Sequence, residues 1–500
     1  MSVLGLDIGT TGTKAIVFDQ SGNILSSTYL EYDTIYLKDG WVELDPEIII
    51  SSALDVLKRA AGKVKKTDPV IALGVSCLGS VMVPLDKKNN FLYNGFSFMD
   101  KRTVEDLEDI IGMKRFDFYR LTGLHINPYL TLNKLLWLRR NKPDIYKNTS
   151  KFYSLKEILM MKLGIEPKMD HCMASLTMLY DLNNESWSQR LFENCGIDLN
   201  TFPEIEESWK IIGEIKGKYL NDLDLNKKIQ VIVGSADTGA CPMGVGMITS
   251  GIVSNTIGTF EEAVLGLDKV HLTRDMMSEG ISCHRSLLPG LYLYVGLPTT
   301  GGFALKWFKN QFCSLEEKTA KSKDLDPYDL ILKDISSIKT DLLFLPHLNG
   351  SGTPNMDSTS RGAFLGISTG TTKKEFIKSL IEGLNYEIKL ITELYEEKIS
   401  GINAFYVTGG AVKSDQWMQI KADILGRDVT SFKVNEAGSL GVALMAAFAS
   451  GIFKDIRSAI KEMVKVRRIY KGNLEKRIYY QKKYNKYKKL YKTLKEINRV

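Results

Sequence analysis

Val3-Leu4-Gly5-Leu6-Asp7-Ile8-Gly9-Thr10-Thr11-Gly12-Thr13-Lys14 is an apolar run that ends in glycine and threonine. Ala15-Ile16-Val17-Phe18 then turns apolar again, ahead of the turn Asp19-Gln20-Ser21-Gly22-Asn23. Because the run resumes within a few residues and is rich in β-formers, the loop joins two antiparallel strands. That excludes a Walker A loop, which needs G-x-x-x-x-G-K-[ST] between a strand and a helix. Glycine lets the backbone approach an oxygen-rich ligand, and successive N–H groups with threonine hydroxyls can cradle phosphate. Ile252-Val253-Ser254-Asn255-Thr256-Ile257-Gly258-Thr259 repeats the pattern about half a chain later. One such loop reads equally as a plain hairpin. Two, each opening one half of the chain, point to a duplicated nucleotide-binding unit with a cleft between its halves.

The chain has 500 residues, 44% of them hydrophobic, which is ample for packed cores; by length about two to three domains are expected. No stretch reaches about 18 consecutive apolar residues, so no membrane span is expected. The N-terminus enters a strand-like run with no basic region ahead of an apolar stretch, which argues against a signal peptide. Cys77, Cys172, Cys195, Cys241, Cys283 and Cys313 are scattered without a C-x-x-C pair. That suits a reducing, cytoplasmic setting and argues against a disulfide framework or a zinc site.

The net charge of +7 is uneven, since Lys461 to Arg499 carries fifteen basic residues against three acidic ones. Within it Tyr480, Tyr484, Tyr487, Tyr491 and Leu494 recur on one face of a helix. A basic helix can bind nucleic acid. The aromatic spacing favours a terminal helix that docks and shows its lysines to water, so no nucleic-acid partner is expected.

Strand-like runs fall at 3–8, 15–18, 24–30, 71–76 and 81–85, with helical patterns at 48–62, 103–112, 132–140 and 154–163. The second half repeats this alternation, with strands at 252–257, 262–266, 292–296 and 342–345 and helices at 301–312, 373–396, 415–425 and 437–450. Interleaved elements of this kind indicate an α/β class. Asp222 to Lys228 reads as a charged surface connection, and the glycine-bearing stretch Gly244 to Gly251 as a domain boundary. The expected units are 1–246, 247–455 and a basic, tyrosine-rich helical extension, 456–500.

Ile229-Gln230-Val231-Ile232-Val233 runs into Gly234-Ser235-Ala236, places Asp237, and enters a small-residue helix start. A lone carboxylate at a strand end beside the cleft can accept the proton of an attacking hydroxyl in phosphoryl transfer. It can also simply cap the helix. A third glycine turn, Gly409-Gly410, follows the strand Phe405-Tyr406-Val407-Thr408 and precedes the helix from Asp415 to Leu425. A glycine pair there suits close approach of a nucleoside or phosphate, or a plain tight turn.

These residues resemble the FGGY carbohydrate kinases, the group containing xylulokinase, glycerol kinase and gluconokinase. The resemblance runs from about Val3 to Phe453. Gly5 to Thr11, Gly40-Trp41-Val42-Glu43-Leu44-Asp45-Pro46, Met99-Asp100-Lys101-Arg102, Asp237 with Gly244 and Gly246, and Ile257-Gly258-Thr259 carry it. So do Thr353-Pro354, Arg361-Gly362-Ala363-Phe364, Gly409-Gly410 with Trp417, and Glu436-Ala437-Gly438-Ser439-Leu440-Gly441. The resemblance implies an α/β fold of two actin-like, ribonuclease-H-like ATPase domains, with ATP and Mg2+ held in the interdomain cleft. By the same resemblance Asp7 sits near the metal, and Thr10, Thr11, Gly12 and Lys14 form the first phosphate loop. Asp237 matches the catalytic base, and Gly258 and Thr259 the second phosphate loop. Gly302 and Lys306 align with nucleotide contacts, Gly410 and Ser414 with the adenosine site. Lys14 stands where glycerol kinases usually carry arginine, which keeps the charge and loses the bidentate fork.

The stretch Val75-Ser76-Cys77-Leu78-Gly79-Ser80 departs from the family. Xylulokinases typically read S-G-Q-M-H-G there and glycerol kinases N-Q-R-E-T. Gly79 is expected to leave volume for a carbon chain longer than glycerol, and Ser80 to offer one adaptable donor and acceptor. Glu261 either reaches the sugar or is a solvated loop acid. The expected activity is ATP-dependent phosphorylation of a hydroxyl of a small sugar or polyol, with a pentulose such as xylulose first. Another ketose, gluconate, a tetritol and glycerol are the alternatives. An actin-like or chaperone-type ATPase is the alternative class, against which stand Trp41 to Pro46, Asp100 to Arg102 and Asp237 on the sugar side of the cleft. A homodimer is left open.

Overall fold

The structure, a computed structural model, describes every residue except 39, 224, 226, 400, 499 and 500. Two positions of the expected connection at 222–228, and the last two of the extension, therefore lie outside the described residues.

Strands β1 (Ser2–Ile8), β2 (Gly12–Phe18) and β3 (Ile24–Glu31) form an antiparallel meander. Helix α1 (Pro46–Val64) follows. Asp45 caps it by accepting from the N–H groups of Glu47 and Ile48, and Pro46 occupies its first turn. Ile49, Ile50, Ala53, Val56, Leu57, Ala60 and Ala61 form its buried face. The crossover returns the chain as β4 (Val70–Cys77), parallel to β1. With β5 (Ile211–Ile215) and β6 (Ile229–Ile232) the sheet runs β5–β6–β4–β1–β2–β3, and β7 (Ser235–Ala236) lies beside the end of β4. Helix α2 (Asp237–Gly244) then leads toward the second sheet.

That sheet comprises β8 (Ile252–Ile257), β9 (Glu261–Leu267), β10 (Ser282–Arg285), β11 (Tyr292–Gly296), β12 (Ala404–Gly409), β13 (Val429–Phe432) and β14 (Val466–Tyr470). Its order is β10–β11–β9–β8–β12–β13–β14. Around it stand α3 (Gly302–Phe312), α4 (Lys373–Lys398) and α5 (Asp415–Leu425). Strands β8, β9 and β11 are antiparallel, α4 crosses to β12 parallel to β8, and α5 crosses to β13. The first sheet uses the same plan. The duplication read from two glycine-threonine words is a duplication of topology, and the fold is two-domain, α/β and actin-like.

Helix α6 (Ala437–Ala449) belongs by sequence to the second half, yet it packs on β1, β4 and α2 of the first. Glycines permit the approach. A Cβ at Gly5 would lie 1.9 Å from the Ser439 carbonyl oxygen, and one at Gly441 would lie 2.0 Å from that of Ala240.

Several boundaries differ from expectation. The helix expected at 103–112 is only Leu107–Ile111: Thr103 and the Val104 N–H bond Asn133 Oδ1 instead of opening it, and Gly112 in the left-handed region ends it. The strand expected at 81–85 is Val83–Leu85. The extension is not helical throughout, since β14 pairs antiparallel with β13 and adds an edge strand to the second sheet. Its last helix, α7 (Leu474–Leu494), docks its aromatic stripe as expected: Tyr480, Tyr484 and Tyr487 are buried, while Tyr491 and Leu494 are partly so. The hydroxyls of Tyr484 and Tyr487 donate to Glu393 at 2.8 Å and Glu387 at 2.5 Å, both on α4, so the stripe is anchored at its polar tips. Among the described residues no helix is long and apolar enough to cross a membrane.

Candidate active site

Asp7, near the end of β1, is in register with Lys14 on β2 and Ser76 on β4, and Ser76 is in register with Ser235 on β7. The chain therefore delivers Asp237, the first residue of α2, to the edge of the row that holds Asp7. Its Oδ1 accepts the Thr238 N–H at 2.9 Å. Burial raises the Asp237 carboxyl to about 7, the nearby Asp7 adds to the rise, and N–H groups of Thr238 and Gly79 hold it back. Burial also raises Asp7, to about 6; Ser76 and Lys14 oppose the rise and Glu436 adds to it. Ala236, not Asp237, occupies the N-cap position, so capping does not account for this carboxylate.

The first hairpin closes with the Gly9 N–H donating to the Gly12 carbonyl at 3.0 Å, and the Tyr32 hydroxyl donating to the Gly9 carbonyl at 2.5 Å. Thr10 and Thr11 form its tip, the first half-buried and the second exposed. A Cβ on Gly12 would meet the Tyr29 hydroxyl at 2.4 Å. Lys14 pairs with Glu436, the residue ahead of α6, at 2.5 Å.

In the second hairpin Gly258 and Thr259 are exposed. Their carbonyls accept the N–H groups of Gly302 at 2.8 Å and Phe303 at 3.2 Å, which ties the loop to the first turn of α3. Ile257 is in register with Gly409 on β12. Gly258, Thr259, Gly302 and Gly410 therefore gather at one end of the second sheet. Lys306 is exposed on α3, and Ser414 caps α5 by accepting the Trp417 N–H at 3.3 Å.

A family model for the N-terminal domain of the FGGY family of carbohydrate kinases matches residues 2–244, and one for its C-terminal domain matches residues 267–450. The chain belongs to the FGGY family of carbohydrate kinases. It is 28% identical to a xylulose kinase of Staphylococcus xylosus, over 90% of this chain and 91% of that protein. It is also 28% identical to a glycerol kinase of Thermococcus kodakarensis, over 95% of this chain and 93% of the other. The crystal structure of ligand-bound xylulose kinase from Lactobacillus acidophilus superposes with a TM-score of 0.87 at 26% identity, covering 99% of this chain and 98% of that one. The FGGY carbohydrate kinase assignment removes the filament or chaperone ATPase as the class.

In this FGGY kinase three expectations about the acceptor side need correction. Gly79 leaves no free volume: a Cβ there would meet Leu176 Cδ1 at 2.5 Å, so the side chain of Leu176 already covers it. Ser80 is buried in the left-handed region, with φ 63, and its hydroxyl donates to the Leu176 carbonyl at 3.3 Å. Its proton is thus spent inside the protein. Glu261 neither reaches the cleft nor meets solvent, because it is buried on Lys421 Nζ at 2.5 Å. Asp100 and Arg102 are likewise committed to each other at 2.7 Å, with Glu43 at 2.8 Å from the same guanidinium. They form a buried structural cluster that Trp41 covers, with its ring 4.3 Å from the Arg102 guanidinium.

Sequence reasoning gave no role to Glu436, Leu176 or Glu262. The last had a readable signal: side chains alternate along a strand, so of two successive acids at the start of β9 one must face away from the other. Glu262 is the one that stays half-buried, turned away from Lys421; burial and the nearby Asp237 raise it to about 8.

Proposed function

We propose that this carbohydrate kinase transfers the γ-phosphoryl group of ATP to a hydroxyl of a pentulose, with xylulose as the first candidate, and that it works in the cytoplasm. The observation that carries the reading is the place of the Asp237 carboxyl, at the start of α2 beside the strand row that holds Asp7, where burial and Asp7 raise its proton affinity to about 7. A base of that strength takes the proton of the acceptor hydroxyl as the new O–P bond forms and the bond to the leaving diphosphate breaks. Thr10, Thr11, Gly12 and Lys14 approach the phosphates from one domain. Gly258 and Thr259, braced by α3, approach from the other. Gly302 and Lys306 line the nucleotide side, and Gly410 and Ser414 the adenosine.

Two carboxylates whose proton affinity is raised by burial, with Asp7 adding to the rise of Asp237 and Glu436 to that of Asp7, suit a divalent cation beside Asp7. Magnesium commonly takes one or two carboxylates and completes its shell with water and substrate phosphates. Held there, it would supply charge neutralisation on the phosphates.

For the acceptor, the absence of any charged side chain at Gly79 and Ser80 argues against glycerol, since a site selective for so small a polyol needs strong partners on most of its hydroxyls. Each missing partner costs about 1–3 kcal/mol. The likeness to xylulose kinases over nearly the full chain supports a pentulose. ADP release should be measured across xylulose, other ketoses, gluconate, tetritols and glycerol. Xylulose is expected to give the highest kcat/KM and glycerol a low one. Glycerol as the best acceptor would overturn the substrate reading.

A further inference from the structure

We infer that Asp170 is a positioning residue for phosphoryl transfer: through the Ser235 hydroxyl it fixes where β7 ends, and with it where Asp237 meets the acceptor hydroxyl. This rests on the reading of Asp237 as the base. Asp170 and Ser235 are both fully buried. The Ser235 hydroxyl donates to Asp170 Oδ2 at 2.8 Å, and the same oxygen accepts the N–H groups of Cys172 at 3.1 Å and Met173 at 3.2 Å. Those two bonds cap the helix His171–Ser175, so β7 is tied to a helix start. The other Asp170 oxygen lies 3.6 Å from Nζ of Lys156, on the helix Leu155–Lys162. Lys156 is buried too; its ammonium pairs with Glu157 at 2.7 Å and donates to the Val233 carbonyl at 3.0 Å.

One connected set of buried bonds thus grips the chain on both sides of Gly234, where β6 gives way to β7. Gly234 takes the left-handed region, with φ 76, and its N–H donates to the Ser208 carbonyl at 3.0 Å. Past Ser235 the first turn of α2 seats on the same hydroxyl. A Cβ on Gly239 would lie 3.1 Å from Ser235 Oγ and 2.8 Å from Cys172 Sγ. Asp237 stands between these two fixed points. A buried ion pair adds little stability over apolar groups of the same volume. What this cluster adds is direction, since hydrogen bonds weaken steeply off their preferred geometry and so specify one place for the strand end. A misplacement of about 1 Å at a reacting group can cost roughly 100-fold in rate.

The test compares wild type with Ser235→Ala, Asp170→Ala and Asp170→Asn, using ATP and the best acceptor of the ADP-release series. Ser235→Ala removes one buried oxygen and leaves every charge in place. Its transfer rate in single turnovers should fall roughly 10- to 100-fold, while KM for the acceptor and affinity for a nonhydrolysable ATP analogue stay within about threefold of wild type. Asp170→Ala should lose at least as much. Asp170→Asn, which restores an acceptor oxygen for Ser235 and for the helix cap, should recover most of that loss. In an Asp237→Asn background, Ser235→Ala should slow transfer by less than about threefold, because residues that act as a unit are not additive. A role confined to stability would lower the melting temperature, leave the rate of the folded enzyme alone and show no dependence on Asp237. Ser235→Ala at the wild-type rate, or keeping its full effect beside Asp237→Asn, overturns the inference while leaving phosphoryl transfer intact. An Asp170→Asn variant no faster than Asp170→Ala overturns it equally. If Asp170→Ala fails to fold, Ser235→Ala alone and in the Asp237→Asn background decides. An Asp237→Asn variant that keeps half of wild-type turnover would instead remove the base, and this inference with it.

Discussion

The Nζ of Lys14 lies 2.5 Å from Oε1 of Glu436, joining the first hairpin to the start of α6. The one cation of the first phosphate loop is therefore already paired in this structure, and phosphate must compete with a carboxylate for it. Glu436→Gln frees the lysine and should tighten binding of a nonhydrolysable ATP analogue by a few-fold, since a half-exposed pair of this kind is worth about 0–1 kcal/mol. Lys14→Met should weaken the same binding. Calorimetric affinities that are equal in all three proteins would detach Lys14 from the phosphates.

Asp237→Asn keeps the shape of the side chain and cannot take a proton. Turnover should fall roughly 100- to 10,000-fold, with far less change in acceptor affinity. Steady-state kinetics with saturating ATP checks this, and a variant that retains half of wild-type turnover would remove Asp237 from the base role.

The raised proton affinity of Asp237 gives activity and stability opposite pH dependences. The base must be ionised, so kcat/KM should rise through about pH 7 and level off above it. The ordinary value is 3.8, so between about 4 and 7 the folded protein binds more protons at this site than the unfolded chain does. Stability from this group therefore falls as pH rises through that window. Asp7, raised to about 6, adds in the same direction. Asp237→Asn should accordingly melt higher than wild type at pH 8, by on the order of 1–3 kcal/mol, with the gain shrinking toward pH 5. A variant that melts lower at pH 8 would contradict the buried-charge account.

Lys421 and Glu261 are both buried and lie 2.5 Å apart. Lys421→Met strands the Glu261 charge and should cost about 3–5 kcal/mol in urea unfolding. Adding Glu261→Leu should recover much of the loss, because an apolar pair needs no solvation. If the single substitution were harmless, the pair would not be holding β9 to α5.

The two hairpins belong to different sheets, so a nucleotide that touches both favours closure of the halves. Arg285 on β10 is buried against Glu185 at 3.1 Å and Glu207 at 2.9 Å in the first half, which pins one side of the joint. Small-angle scattering should show compaction when sugar and a nonhydrolysable nucleotide are both present. Identical profiles in every state would argue against a hinged cleft.

Much of this was legible in local patterns. The Gly-Thr hairpins, the strand into Ser235 and Ala236, and the helices beginning at Lys373 and Asp415 follow from periodicity and turn chemistry, which act over a few residues. The tyrosine stripe of α7 was readable for the same reason, as a spacing on one face. The carboxyl tips it bonds on α4 were not, because they lie about a hundred positions away.

The chain's own order of residues was enough to show two similar α/β halves and membership of a kinase family, and to single out Asp237 as the candidate base. Folding decided what each pocket residue does. Glycine at 79 reads as empty space until Leu176, from a distant segment, fills it. Glu261 and Glu262 are the same chemical group one position apart, yet the pleat of β9 buries one on Lys421 and leaves the other half-buried, where burial and Asp237 raise its proton affinity. Proton affinity, free volume and pairing depend on what surrounds an atom in space, and those surroundings come from segments that sequence spacing does not connect.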